Sequence, residues 1–219
     1  MEHLRNRMRI ALVAILLVVG AAGVLAQDNG MGNGNASAVF AGGCFWCMEE
    51  AFDHVDGVIS TTSGYAGGHV VNPTYNEVSS GGTGHSEVVE VVYDPAVVSY
   101  EELLYVYWRN VDPFDSRGQF CDHGPQYRPV IFYRTNEERS LANRSVGVVT
   151  DQLGRATEVE IRRLNAFYPA EEYHQDYYIK NPVRYNYYRA RCGRDARLDA
   201  VWGDEARGED PHPWLSEVM

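Results

Sequence analysis

Apolar and polar positions change their rhythm twice along the 219-residue chain. An apolar run spans Ile10 to Ala26, broken by Gly20 and Gly23. Residues 27–37 (QDNGMGNGNAS) show no apolar period and read as a flexible linker. Order is expected from about Ala38. AVFAGG predicts a short buried strand that turns into a helix at Gly43-Cys44. ISTTSGYAGG, from Ile59, predicts a strand followed by a glycine loop. SEVVEVVYDP, from Ser86, alternates with the period of a half-buried strand. Ser99 with Glu102 and Thr135 with Glu138 fit capping boxes, each opening a helix. The first helix should stop before Asp112-Pro113 and the second near Leu153. RPVIFYR (128–134) and EVEIRRL (158–164) read as further strands, and EEYHQDYYIKN (171–181) as a helix ending at Pro182. Strands alternating with helices imply one mixed sheet covered by helices. The segment after Pro182 is rich in Tyr and Arg with weak periodicity, so an extended tail is expected there. The acidic stretch 204–219 is expected to be disordered.

The amino-terminal run changes the picture of where the protein works. Arg5, Arg7 and Arg9 precede it, and Val24-Leu25-Ala26 ends it with small residues at the positions a signal peptidase reads. Residues 1–26 therefore read as a secretory signal peptide, with an uncleaved membrane anchor as the alternative. Either reading exports the domain to a periplasmic or extracellular location. Removing those residues leaves 16 basic against 29 acidic residues, a net charge of −13 in place of −11. Such an acidic domain has no electrostatic case for nucleic acid or anionic lipid.

Four cysteines remain: Cys44, Cys47, Cys121 and Cys192. An even count in an oxidising compartment is compatible with two structural disulfides and a stapled binding domain. Cys44, however, falls where a strand hands over to a helix. Free N–H groups and the positive end of the helix dipole would favour its thiolate there. Cys47 lies one turn on. Side chains three apart on a helix sit about 5–6 Å apart at Cβ, against about 3.8 Å in a disulfide, so a Cys44–Cys47 bond would distort that turn. The bulky Phe45 and Trp46 between them suit a pocket wall better than a general dithiol oxidoreductase, the competing enzymatic reading. A zinc site lacks a second closely spaced ligand pair, and no cofactor or metal is expected.

GGCFWCMEEAF, TSGYAGGHVVNPTYNEVSSGGTGHSEVVEVVYDP, NVDPF and DHGPQYRPVIFY, in this order from about Ala38 to Pro182, resemble peptide methionine sulfoxide reductase A. The resemblance implies an α+β fold, a two-layer α/β sandwich with a ferredoxin-like mixed sheet, covering residues 38–203. It implies that Cys44 attacks the sulfur of methionine sulfoxide and that Glu87 supplies the proton for the departing oxygen. Tyr65 and Tyr127 would hydrogen-bond that oxygen, Asp112 would order polar groups beside it, and Phe45 and Trp46 would receive the methyl group. The substrate would be the S epimer, peptide-bound or free. The resulting sulfenic acid would condense with a second thiol, and a thioredoxin-like protein would reduce the disulfide. Relatives commonly carry resolving cysteines in a glycine-rich tail, so Cys192 is the favoured resolving residue and Cys47 the alternative. Arg189, Arg191 and Arg194 would keep Cys192 partly ionised, and Cys121 would be a packed or spare thiol. The partners implied are oxidised proteins and a thioredoxin-like reductant, with the enzyme a monomer.

Overall fold

The computed structural model describes residues 34–208, 211–212 and 214–215. The expected signal peptide and residues 27–33 of the expected linker lie outside them. The linker was read to Ser37, but strand β1 (Ala36–Ala41) already includes its last two residues, because they pair with Tyr93 and Val92.

Six strands form one mixed sheet. They are β1, β2 (Val58–Ala66), β3 (Ser86–Tyr93), β6 (Val130–Tyr133), β7 (Glu160–Arg163) and β8 (Phe167–Pro169). Their order is β7-β6-β1-β3-β2-β8, with β6 and β7 parallel and the other pairings antiparallel. The short β4 (Gly118–Gln119) and β5 (Asp122–His123) form a separate hairpin. Period two sorts β1 into two faces: Ala38 and Phe40 enter the main core, whereas Val39 and Ala41 join a smaller cluster. Helices α1 (Phe45–Asp53), α3 (Tyr100–Arg109) and α4 (Asn136–Leu153) contribute to the main core. Both capping boxes are present as read, Ser99 with Glu102 and Thr135 with Glu138. A third, Thr74 with Glu77, opens the unforeseen short α2 (Tyr75–Ser79).

Three expectations need correction. The helix expected from Glu171 is a 3-10 turn (Glu172–His174) followed, after a break, by α5 (Tyr177–Lys180). The break comes from Gln175, whose amide bridges the Ser63 main chain. It accepts from Ser63 N at 2.8 Å and donates to Ser63 O at 2.9 Å. A side chain thereby replaces a strand partner and holds the backbone extended.

The carboxy-terminal segment is not an extended, irregular tail. It folds as α6 (Pro182–Cys192) and α7 (Arg194–Trp202), separated by Gly193 in the left-handed conformation at φ 70°. Leu198 is buried, and Trp202 donates its indole N–H to Val111 O at 3.2 Å. Nor does order end at Asp204: Trp214 and Leu215 are buried, and Trp214 donates to Glu101 O. These apolar residues are sparse, so their helical spacing is faint against the Arg and Tyr around them. Replacing Leu198 by Ala should lower stability by about 2–5 kcal/mol. Urea unfolding checks this, and no loss would mean that α7 is not packed on the domain.

Candidate active site

β1 delivers the chain to Cys44 through Gly42 and Gly43. A Cβ on Gly42 would lie 2.5 Å from Met48 Sδ, and Gly43 has φ +85° with Gln119 packed against it, so both positions need glycine. Cys44 is the N-cap of α1, and its carbonyl accepts from Cys47 N. The first amide of the helix, Phe45 N–H, donates to Glu87 Oε2 at 3.2 Å. Glu87 lies on β3, the strand between β1 and β2, so the sheet fixes the carboxyl beneath the helix start.

Cys44, Phe45, Trp46 and Glu87 line a pocket of about 60 Å³, closed by Tyr75, Asp122, Tyr127 and Tyr188. Cys44 is 6% exposed and Glu87 2%. Burial raises the Glu87 pKa to about 8, against the lowering effect of the Phe45 amide, and the charges of Asp122 and Cys47 add to the rise. Glu87 therefore holds a proton at neutral pH. Burial also raises Asp122, which accepts the hydroxyl proton of Tyr188. Tyr75 is pushed up to about 12 and Tyr127 is raised further, both chiefly by burial, so both remain O–H donors.

The two free thiols share their charge in an unforeseen way. Burial raises the Cys44 pKa, and a hydrogen bond with Cys47 and the carboxyls of Glu87 and Asp122 raise it further. Cys47 is lowered, by the hydrogen bond from Cys44 and by Arg194 and Arg189, against the opposing effect of burial. Burial and these neighbours thus oppose the helix-start ionisation expected of Cys44. The reason is local: the Phe45 amide is occupied by Glu87, and the arginines lie on the Cys47 side.

Cys192 is no free tail thiol. It ends α6 and is disulfide-bonded to Cys121, 71 residues away, so Cys121 is not a packed or spare thiol either. Of the arginines expected to ionise Cys192, Arg189 pairs with Glu50 and Asp195. Arg194 is buried, with Nη2 donating to Asn110 O at 2.6 Å and Gly42 O at 3.3 Å.

Tyr127 lines the pocket as read; Tyr65 and Asp112 are not among the lining residues, although Tyr65 lies directly across the strands from Glu87 and its ring is 6.0 Å from that of Phe45. The Tyr65 hydroxyl donates to Glu171 Oε2 at 2.9 Å, and Glu171 Oε1 accepts Tyr75 N–H at 2.9 Å. Tyr65 thereby steadies the helix start that carries Tyr75. Asp112 accepts Arg197 in two hydrogen bonds of 2.6 and 3.1 Å, and its main chain pairs with the Gln119 amide. It anchors α7 and the hairpin that carries Asp122. The capping box Thr74-x-x-Glu77 was the available signal that Tyr75 opens a helix. Nothing local in CDHG singled out Asp122.

Trp46 has partners that sequence reasoning missed. Its ring stacks on Tyr177 with centroids 3.7 Å apart, and its N–H donates to His174 Nδ1 at 3.2 Å. That bond needs His174 neutral, and burial lowers its pKa accordingly. His174 also packs against Phe45 and Tyr75, centroids 4.9 and 4.4 Å away.

The chain matches the family model described as peptide methionine sulfoxide reductase over residues 36–206. It is 52% identical over 168 residues to the peptide methionine sulfoxide reductase MsrA of Listeria innocua, covering 75% of this chain and 94% of that one. It is 49% identical over 200 residues to MsrA 2 of Caulobacter vibrioides, covering 90% and 99%. Among solved structures it is similar to reduced Mxr1 of Saccharomyces cerevisiae, at 31% identity and TM-score 0.65, covering 69% of this chain and 88% of that one. Methionine sulfoxide reductase A of Corynebacterium diphtheriae is 33% identical, with TM-score 0.62 and coverage of 68% and 76%. The chain belongs to the peptide methionine sulfoxide reductase family, in its A class.

Proposed function

We propose that the pocket reduces the S epimer of methionine sulfoxide, peptide-bound or free, with Cys44 as nucleophile, Glu87 as acid and Cys47 as resolving thiol. The observation that carries this reading is a thiol sharing a small pocket with a buried carboxyl that keeps its proton. The Phe45 and Trp46 rings accept the methyl group, while the Tyr75 and Tyr127 hydroxyls donate to the sulfoxide oxygen. As Cys44 attacks the sulfur, its proton passes to the hydrogen-bonded Cys47 sulfur. Glu87 gives its proton to the oxygen. The oxygen ends on Cys44 as a sulfenic acid, and methionine leaves with its sulfur lone pair restored. Cys47 then attacks the Cys44 sulfur, forming the S–S bond, and the hydroxyl departs as water. The net reaction converts one sulfoxide and two thiols into one sulfide, one disulfide and water.

Cys47 is preferred over Cys192 because it is free and beside Cys44, whereas Cys192 is already bonded to Cys121. An external dithiol protein of the thioredoxin type restores the thiols. The apolar run after Arg5, Arg7 and Arg9 supports an exported enzyme, periplasmic or extracellular, that repairs oxidised exported proteins.

Because Glu87 acts protonated, kcat/KM should fall as pH rises through about 8. In Glu87→Gln, activity should drop by about a hundredfold or more and that alkaline limb should vanish. A pH–rate profile of both proteins decides it, and an unchanged limb in the variant removes Glu87 from the role.

Native protein with its Cys121–Cys192 bond intact, given methionine sulfoxide without reductant, should release about one methionine per chain. It should then carry a Cys44–Cys47 bond. Peptide mapping reads this directly, and a Cys44–Cys192 bond would return the resolving role to Cys192.

A further inference from the structure

The Trp46 ring lines the pocket but is held in place from outside it. Tyr177 stacks on it with the two planes 7° apart, and Tyr188 meets it edge-on with centroids 5.9 Å away. Stacking fixes the plane of a ring and leaves it able to slide or turn within that plane. The turn is fixed by a directional contact, the bond from the indole N–H to His174 Nδ1 at 3.2 Å. It is the one hydrogen bond that the Trp46 side chain makes among the described residues.

His174 does not itself line the pocket. It is 2% exposed and packs against Phe45 and Tyr75, so three lining residues rest on one imidazole. The segment that carries it is tied to β2: Glu171 accepts the Tyr65 hydroxyl, and Gln175 bridges the Ser63 main chain. His174 N–H closes the turn between them on Glu171 O at 2.8 Å. Because Nδ1 accepts, the ring proton sits on Nε2, and that buried nitrogen has no hydrogen-bond partner among the described residues. A buried N–H left unpaired costs stability. The imidazole thus works against the fold at one nitrogen and supports the pocket wall at the other.

We propose that His174 is a positioning residue for substrate selectivity: by accepting the indole N–H it fixes the edge that Trp46 turns to the pocket, and so sets how large an S-alkyl group can enter. This inference rests on the reading of Phe45 and Trp46 as the rings that receive the methyl group. With the acceptor gone, Tyr177 still holds the plane of the indole, but the ring can turn and the space beside Phe45 widens. Glu87 is held separately, by the Phe45 amide, so the loss falls on which sulfoxide is accepted.

The test compares kcat/KM for methionine sulfoxide with that for its S-ethyl homologue, ethionine sulfoxide, in the whole chain with dithiothreitol as reductant. In His174→Leu the methyl-to-ethyl ratio should fall about fivefold, the contribution of one hydrogen bond. His174→Asn, whose side-chain carbonyl reaches the Nδ1 position, should keep the ratio within about twofold of wild type. In a Trp46→Phe background, which lacks the indole N–H, adding His174→Leu should leave the ratio unchanged within that same factor. Equal losses in the Leu and Asn variants, or an undiminished effect of His174→Leu in the Trp46→Phe background, would make His174 a packing residue and overturn the proposal. Should His174→Leu fail to fold, His174→Asn decides, because a ratio as low as that of Trp46→Phe overturns the proposal equally. Wild-type protein that turns over neither sulfoxide would instead overturn the reading of the pocket itself.

Discussion

The hydrogen bond from the Phe45 amide to Glu87 ties the first turn of α1 to the middle of the sheet. An amide at a helix start ordinarily stabilises any anion nearby. Here it is committed to a carboxyl group that burial keeps protonated. The bond is modest while the carboxyl is neutral and strengthens when it becomes a carboxylate. If Glu87 is the acid, as proposed, the helix start favours its state after proton transfer over the resting one, which is the condition for lowering a barrier.

The same commitment decides where the thiol charge rests. With the amide taken and two carboxyls facing it, Cys44 stays neutral, and the negative charge moves one turn along to Cys47. Arg194 makes this arrangement possible. It is buried 1% exposed against main-chain carbonyls, with no ion pair among the described residues, so its charge remains available to the sulfur. It reaches that place because Gly193 turns left-handed between α6 and α7. The carboxy-terminal helices thus supply the charge that tunes the pair, besides covering it.

Regular periods and caps were legible in the sequence. β1, β3, α3 and α4 stand near their expected places because alternation and the serine and threonine boxes act locally. Cys44, Phe45, Trp46, Glu87 and Tyr127 meet in one pocket as the motif order implied. What could not be read depends on contacts across the chain. Tyr65 and Tyr75 sit in neighbouring motifs, and only Glu171, 96 residues from Tyr75, shows that the Tyr65 hydroxyl and the Tyr75 main chain share one carboxylate. Asp112 and Asp122 are separated in the same way, by an Arg197 pair on one side and a Tyr188 hydroxyl on the other. The Cys121–Cys192 disulfide was illegible because it joins a two-residue hairpin to a helix whose apolar face is nearly absent.

Pocket size carries the specificity argument to its last step. The cavity of about 60 Å³ beside Cys44 and Glu87 is small, suited to a sulfoxide group and its methyl rather than to a whole residue. Selectivity between sulfoxide epimers then needs no contact with the peptide. In the proposed reaction the methyl group lies against the rings of Phe45 and Trp46, while the rest of the lining carries hydroxyls, carboxyls and the thiol. Once it is seated there and sulfur faces Cys44, one epimer points its oxygen at Glu87, Tyr75 and Tyr127. The other points it away from every donor, and a departing oxygen without a proton has no route off the sulfur.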